Sequence, residues 1–336
     1  MTDNTLTEIQ SQPEVWQQVL ELCEKEEHKH IRNWIRSSHS VLTGMGSSYY
    51  VCLAVAAGIT QLTRRRAIAV SGSEICAFPD AVFSEKEEYA LLAVSRNGKS
   101  AETVQAARWC NERYSARTLL VTTVPASPLG EISQLGLLLS PAAEKSRYMT
   151  RAFTSAVLAL LFLVASETGH HDLVREMRQL PKACSRVLES CESIVKLLAE
   201  EKSFSDYSGL GQGPFFGLAA EAMLKLKEMV RVPADACPSL EVMHGPNYLL
   251  SPRSLVTLLH APSASQYEVP LLDRLKTTGA YRFVLCDRAT PEIRSRAELV
   301  FELGSGLSEL GHFLLMMPVM QMFAYYRALA TGHPIE

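Results

Sequence analysis

The sequence lacks a C-x-x-C pair and any histidine-spaced cysteine cluster, so neither a zinc ribbon nor a disulfide framework is expected. Its eight cysteines (Cys23, Cys52, Cys76, Cys110, Cys184, Cys191, Cys237 and Cys286) are scattered, and six stand among Leu, Val, Ile or Ala. That placement suits buried free thiols in a reducing compartment. No uninterrupted apolar run approaches the ~20 residues of a membrane helix, the longest being Ala156 to Ala165. Residues 1–20 are polar and acidic and lack the basic, apolar, small-residue order of a secretory signal. Cytoplasmic residence without membrane contact is therefore expected. Positive charge is not in surplus either: 33 Lys and Arg face 36 Asp and Glu, for a net −3. This gives no reason to bind nucleic acid, and Arg64-Arg65-Arg66 reads as a solvated turn. There is no G-x-G-x-x-G followed by a ribose-binding acid and no Gly-Lys-Ser/Thr loop, which sets aside dinucleotide and P-loop chemistry.

What is present is a globular composition, 47% hydrophobic and 21% charged, over 336 residues. That length suits two domains of roughly 150 residues each. An amphipathic helix is expected from Glu14 to Trp34. Short apolar strands are expected at Ser40–Gly44, Ala67–Val70, Tyr89–Ser95, Ser115–Thr123 and Gly136–Ser140, with helices at Ser100–Arg113 and Ala152–Glu167. Leu173 to Phe204 is helical and charged, and the domain junction is placed within it. The rhythm restarts with a strand and glycine loop at Tyr207–Gly213, a helix at Phe216–Val230, and strands from Leu255, Tyr281 and Leu299. Alternation of this kind specifies an α/β fold of parallel sheets flanked by helices. Two glycine loops about 165 residues apart suggest a duplicated unit, with domains at 1–184 and 185–336.

Two loops in the first half sit at strand-to-helix junctions, where backbone N–H groups and the helix dipole favour anions. Gly44-Met-Gly46-Ser47-Ser48 offers two hydroxyls on a glycine turn, which suits a phosphate monoester. Ser95-Arg96-Asn97-Gly98-Lys99-Ser100 adds polar donors, with Arg96 and Lys99 as counter-charges. Ligands of open parallel sheets lie outside the carboxyl ends of the strands, so both loops are expected to face one crevice.

In the second half, Glu221, Lys225 and Glu228 fall at i, i+4 and i+7 and share a helix face. A solvated stripe of salt bridges gives the same spacing. The preceding Gly209-x-Gly-x-Gly, pointing the helix start toward a crevice, and the later His244 before Gly245-Pro246 favour acid–base chemistry instead. A carboxylate and an imidazole beside a phosphate pocket are what proton transfer next to a sugar carbonyl requires.

These residues in this order resemble the tandem sugar isomerase (SIS) domain proteins that are similar to the isomerase half of glucosamine-6-phosphate synthase. The resemblance runs from Thr7-Glu-Ile-Gln-Ser-Gln-Pro through Gly46-Ser-Ser-Tyr, Val70-Ser-Gly-Ser-Glu, Val94-Ser-Arg-Asn-Gly-Lys-Ser-Ala-Glu-Thr and Thr150-Arg-Ala-Phe-Thr. It continues through Glu221-Ala-Met-Leu-Lys-Leu-Lys-Glu to Leu240-Glu-Val-Met-His-Gly-Pro. It implies two SIS domains of flavodoxin-like, doubly wound topology related by duplication. Gly46, Ser47, Ser48, Ser95, Arg96, Asn97 and Ser100 then fall in the phosphate pocket. Glu228 matches the base moving a proton between carbon 1 and carbon 2. Glu221 and Lys225 match residues that contact the substrate or hold that base. His244 matches a ring-opening histidine that in relatives reaches the neighbouring subunit's site, so a homodimer is implied.

No metal or cofactor is implied. Asn97 and Lys99 depart from the usual serine and acidic residue, and Arg147-Tyr-Met stands where small residues are usual. His260-Ala-Pro-Ser-Ala-Ser-Gln has lost the S-x-S-G-x-T form, so one phosphate site per chain is expected. The relatives' D-x-P-R-x-L-x-K-x-V tail, whose lysine assists at the sugar, has no match before Gly332-His-Pro-Ile-Glu. No cysteine follows Met1, so glutamine-dependent transfer is not expected. The expected activity is on an amino-substituted hexose 6-phosphate, as deaminase, deglycase or aldose–ketose isomerase. The alternative is a non-catalytic phosphosugar-binding regulator.

Overall fold

The computed structural model describes residues 3–25, 39–84, 87–114 and 117–335. In chain order the helices are α1 (Asn4–Gln10), α2 (Gln12–Glu24), α3 (Ser47–Thr63), α4 (Gly72–Ala77), α5 (Ala101–Arg113), α6 (Pro128–Ile132), α7 (Arg151–Glu167) and α8 (His171–Met177). They continue with α9 (Leu180–Glu201), α10 (Pro214–Lys225), α11 (Ser265–Lys276), α12 (Pro291–Arg296), α13 (Glu309–His312) and α14 (Met316–Ala330). The strands are β1 (His39–Gly44), β2 (Ala67–Ser71), β3 (Tyr89–Val94), β4 (Arg117–Thr122), β5 (Leu135–Leu138), β6 (Asp206–Gly211), β7 (Ala234–Pro238), β8 (Ser254–Leu259), β9 (Tyr281–Cys286) and β10 (Leu299–Glu302).

Among the described residues all strand pairs are parallel and form two sheets of five. The first runs β2-β1-β3-β4-β5 and the second β7-β6-β8-β9-β10, the same order twice. Each sheet thus reverses its winding beside its first strand, at β1/β3 and β6/β8, which is where such sheets bind ligands. The chain divides into two compact units. Glu14–Lys145 with Arg151–Arg178 holds the first sheet, and Met1–Pro13, Ser146–Thr150 and Gln179–Glu336 hold the second.

In the first unit, β3 and β4 are buried along nearly their whole length, as strands covered on both faces are. Small residues let α3 lie close against α7: a Cβ on Gly58 would stand 2.6 Å from the Leu161 side chain. Trp16 of α2 is fully buried and its indole N–H donates to Thr154 Oγ1 at 3.0 Å. Arg64, Arg65 and Arg66 are exposed in the turn after α3, as expected.

In the second unit, α9 packs an apolar face (Cys184, Val187, Cys191, Val195) on α14. The brief excursion 146–150 is tied in by polar contacts. The Ser146 N–H donates to Glu8 at 3.2 Å, and Gln321 Nε2 donates to the Thr150 carbonyl at 3.1 Å. Residues 309–330 have the length and composition of a membrane span, which the count of uninterrupted apolar runs overlooked. Yet 83% of that window is buried inside the structure.

Sequence and structure differ at a few elements. The N-terminal helix is two helices meeting near Ser11, and the expected extension to Trp34 lies outside the described residues. The charged stretch breaks at Arg178–Gln179, between α8 and α9. Strand β7 was not anticipated, because Ala234-Asp-Ala-Cys-Pro carries little β propensity. Its edge position tolerates Pro238, since an edge strand need not donate on its outer side. All eight cysteines are free and six are buried, and burial pushes the Cys23 and Cys110 thiols up to about 12.

Candidate active site

In the first unit the expected loops follow β1 and β3, the two strands that flank the switch. Gly46 caps α3 with φ 54° and ψ −129°, a conformation open to glycine and costly for side chains. Gly44 is equally constrained: a Cβ there would lie 2.7 Å from the Ser48 backbone. The turn buries Ser47 and Ser48 almost completely. The Ser48 N–H donates to the Met45 carbonyl at 3.1 Å, which closes the turn.

After β3, Ser95 is 1% exposed and its Oγ lies 3.4 Å from that of Ser100, the cap residue of α5. Asn97 Oδ1 accepts the Lys99 N–H at 3.1 Å and closes a small turn, while the rest of both side chains is exposed. Gly98 has φ +63°, and a Cβ there would collide with Ser127.

Arg96 is placed differently from expectation. Its Nη1 pairs with Glu144 Oε2 at 3.1 Å, and the Glu144 side chain is fully buried. Glu144 Oε1 also accepts the Ala152 N–H, while Thr122 and Thr123 hydroxyls donate to the Arg96 carbonyl. Arg96 is thus a structural tie as well as a local positive charge. Glu144, Thr122 and Thr123 hold the loop, and no spacing in the sequence pointed to them.

In the second unit, Glu221, Lys225 and Glu228 do come together. Lys225 is fully buried, with its Nζ 3.3 Å from Glu221 Oε1 and 2.5 Å from Glu228 Oε2. Burial works against the ammonium, but the Glu221 and Glu228 carboxylates more than offset it and hold Lys225 above the ordinary lysine range. Glu221 is buried, whereas the Glu228 side chain is 37% exposed and presents the accessible carboxylate of the two. Glu228 sits in a single π-helical turn, Leu226–Val230, closed by Arg231 at φ 57°. Such turns are rare and cluster at functional sites.

His244 is not brought to that triad. It is exposed, capping a 3-10 turn (Ser239–Met243) that follows β7. Ser239 Oγ lies 3.1 Å from Oε1 of Gln212, the residue after β6, so this segment stands at the carboxyl edge of the second sheet. Helix α10 starts at that edge and runs back. By the π turn the chain is near the amino edge, where the Pro233 carbonyl accepts the N–H of Tyr207 at 3.0 Å. The glycine loop therefore does not deliver the three charged residues to its own sheet's carboxyl edge, as the sequence reading supposed.

Comparison with known proteins follows this geometry. Residues 35–166 match the SIS domain model. Glutamine–fructose-6-phosphate aminotransferase (isomerizing) of Pyrobaculum aerophilum is 28% identical over 337 residues, covering 98% of this chain and 55% of the relative. The chain thus spans about half the length of that relative. Among solved structures, the C-terminal domain of glucosamine-fructose-6-phosphate aminotransferase from Francisella tularensis superimposes with a TM-score of 0.86 at 18% identity, covering 100% of this chain and 98% of that one. Glucosamine-6-phosphate deaminase from Thermotoga maritima gives 0.82 at 22% identity, covering 98% and 96%. At these identities the structural matches establish the fold. Residues 35–166 are a SIS domain, and the chain is homologous to the isomerase half of glutamine–fructose-6-phosphate aminotransferase.

Proposed function

We propose that the chain is an enzyme acting on an amino-substituted hexose 6-phosphate, without metal or cofactor. The buried Lys225, set between Glu221 and a partly exposed Glu228, carries this reading. A binding module has no need of an ammonium and two carboxylates locked together, whereas a base that must collect and return a proton does. Ser47, Ser48, Ser95 and Ser100 at the β1/β3 switch would grip the phosphate, with Asn97 and Arg96 beside them. Glu228 would take the proton from carbon 2 of the open-chain aldose and return it to carbon 1 through an enediol or enolamine. Lys225 would hold the carboxylate in place. With an amine at carbon 2, the same transfer gives a ketose imine, and water then releases ammonia and the ketose. With an amino acid on carbon 1 of a ketose the proton runs the other way, from carbon 1 to carbon 2. Water then releases the amino acid and an aldose from the resulting imine, which is deglycation. With oxygen on both carbons the outcome is simple isomerisation. The activities for which the relatives are named, aminotransferase with isomerisation and deamination, support this range.

His244 would assist ring opening in the site of a second copy, because within one chain it stands at the opposite sheet edge from Glu228. Tyr248 and Leu249, 88% and 81% exposed beside it, support a homodimer contact there. The repeated strand order and the matching loops support a duplication, with halves at 1–184 and 185–336. Eight free thiols support a reducing, cytoplasmic setting.

The test is hydrogen exchange at carbon 1 of fructose 6-phosphate in heavy water. We expect exchange by the wild type and a loss of at least ~100-fold in Glu228→Gln, the low end of what a general base contributes. Binding of the sugar phosphate should persist in that variant. A wild type that binds fructose 6-phosphate and leaves its carbon 1 hydrogens in place is a sensor, and the catalytic reading falls.

A further inference from the structure

The carboxyl edge of the second sheet holds a buried charge that the proposed chemistry does not use. Glu268, in the first turn of α11, is fully buried. Its Oε2 accepts the Ala261 backbone N–H at 3.0 Å and lies 2.8 Å from Nδ1 of His260. Its Oε1 accepts the Ser239 hydroxyl at 2.7 Å. His260 is 5% exposed and Ser239 is fully buried, so the carboxylate has left water for a set of protein donors. A carboxylate tolerates that only where the donors replace its hydration. Three of them converge here, from the ends of β7 and β8.

The same place exists in the first unit. The Ser95 N–H donates to the Val121 carbonyl beyond β3, and the His260 N–H donates to the Leu285 carbonyl beyond β8. His260 and Ala261 therefore stand where Ser95 and Arg96 stand. Beside them Gly213 (φ 56°, ψ −128°) repeats the backbone of Gly46 (φ 54°, ψ −129°) at the cap of the next helix. A backbone N–H, a hydroxyl and a helix start gathered at a sheet switch are the elements of an anion site.

We propose that the carboxyl edge of the second sheet is an anion-binding site permanently occupied by the chain's own Glu268 carboxylate. This internal ligand closes the second switch point to phosphates. It also pins Ser239, the residue that opens the segment ending at His244. The loss of the S-x-S-G-x-T form at 260–266 is then not decay of a site but its replacement by a built-in occupant.

Glu268→Ala should empty the place and leave its donors. The probes are acetate, the group removed, and inorganic phosphate, each compared with chloride at matched ionic strength. In chloride the variant should melt below the wild type. Acetate should raise its Tm in a concentration-dependent way that the wild type does not share, and calorimetric titration should find one more phosphate per chain than in the wild type. Glu268→Gln, which keeps the side-chain volume, should show neither response. If Glu268→Ala does not fold in chloride, refolding yield gives the same reading: a higher yield in acetate supports the proposal, and equal yields overturn it. An unchanged acetate response in a folded variant overturns it too. The acetate arm does not depend on the first sheet binding a sugar phosphate, so failure of that reading is distinguishable from failure of this one.

Discussion

Lys225 is where charge and burial meet most sharply. A fully buried ammonium survives because Glu221 and Glu228 stand within salt-bridge distance on the same helix. Its raised pKa fixes the sign of the pH dependence. A lysine whose folded pKa lies above the unfolded value contributes stability that is complete below the unfolded value of about 10.5 and is lost as pH rises through the folded one. Lys225→Met should therefore destabilise the protein at neutral pH by about 3–5 kcal/mol, the usual cost of stranding a buried charge. Urea melts at about pH 7 and above about pH 10.5 measure the loss and its pH dependence, the gap between wild type and variant narrowing as the Lys225 ammonium is titrated. A Lys225→Met protein as stable as the wild type across that range would show that the buried pair contributes nothing to stability. The spacing of these three residues was legible because helix geometry maps sequence onto one face. The Arg96–Glu144 pair was not, since 48 positions separate its partners and only the closed sheet brings them together.

At the scale of elements, the turns carry the site, and Gly46 is the sharpest of them. Its φ of 54° with ψ of −129° lies where a side chain costs about 1–3 kcal/mol. Gly213 has the same backbone in the second unit. Gly46→Ala and Gly213→Ala should thus lower Tm by similar amounts, while only Gly46→Ala weakens binding of fructose 6-phosphate. Calorimetric titration of both variants decides this, and equal losses of affinity would remove the phosphate grip from the first sheet. Strands such as β3 and β8 were legible as unbroken apolar runs because both their faces are covered. Strand β7 was hidden, since an edge strand of Ala, Asp, Cys and Pro has no hydrophobic period to read. The π turn was hidden as well. Ala220 to Met229 reads as an ordinary helix, and the widened turn that sets Glu228 against Lys225 is decided by packing rather than propensity.

For the whole molecule, the decisive geometry is which sheet edge each group occupies. β6 and β7 are parallel strands of five or six residues, so the edges they separate lie roughly 15–20 Å apart at ~3.3 Å per residue. Helix α10 with its π turn spans about as much in the return direction. Glu228 ends near the amino edge and His244 near the carboxyl edge, too far apart to serve one sugar from a single chain. A two-fold dimer removes the difficulty, because each site can take its carboxylate from one copy and its imidazole from the other. Glu228→Gln and His244→Ala, each inactive alone, should then complement when unfolded together and refolded. Half of the randomly formed dimers would be mixed, each with one intact site and one doubly damaged site, so roughly a quarter of wild-type turnover should return. The measurement is ketose formation after co-refolding, with each variant refolded alone as the baseline. Activity no greater than the sum of the two baselines would mean that His244 does not act across a dimer, and that ring opening belongs to another group on the same chain as Glu228.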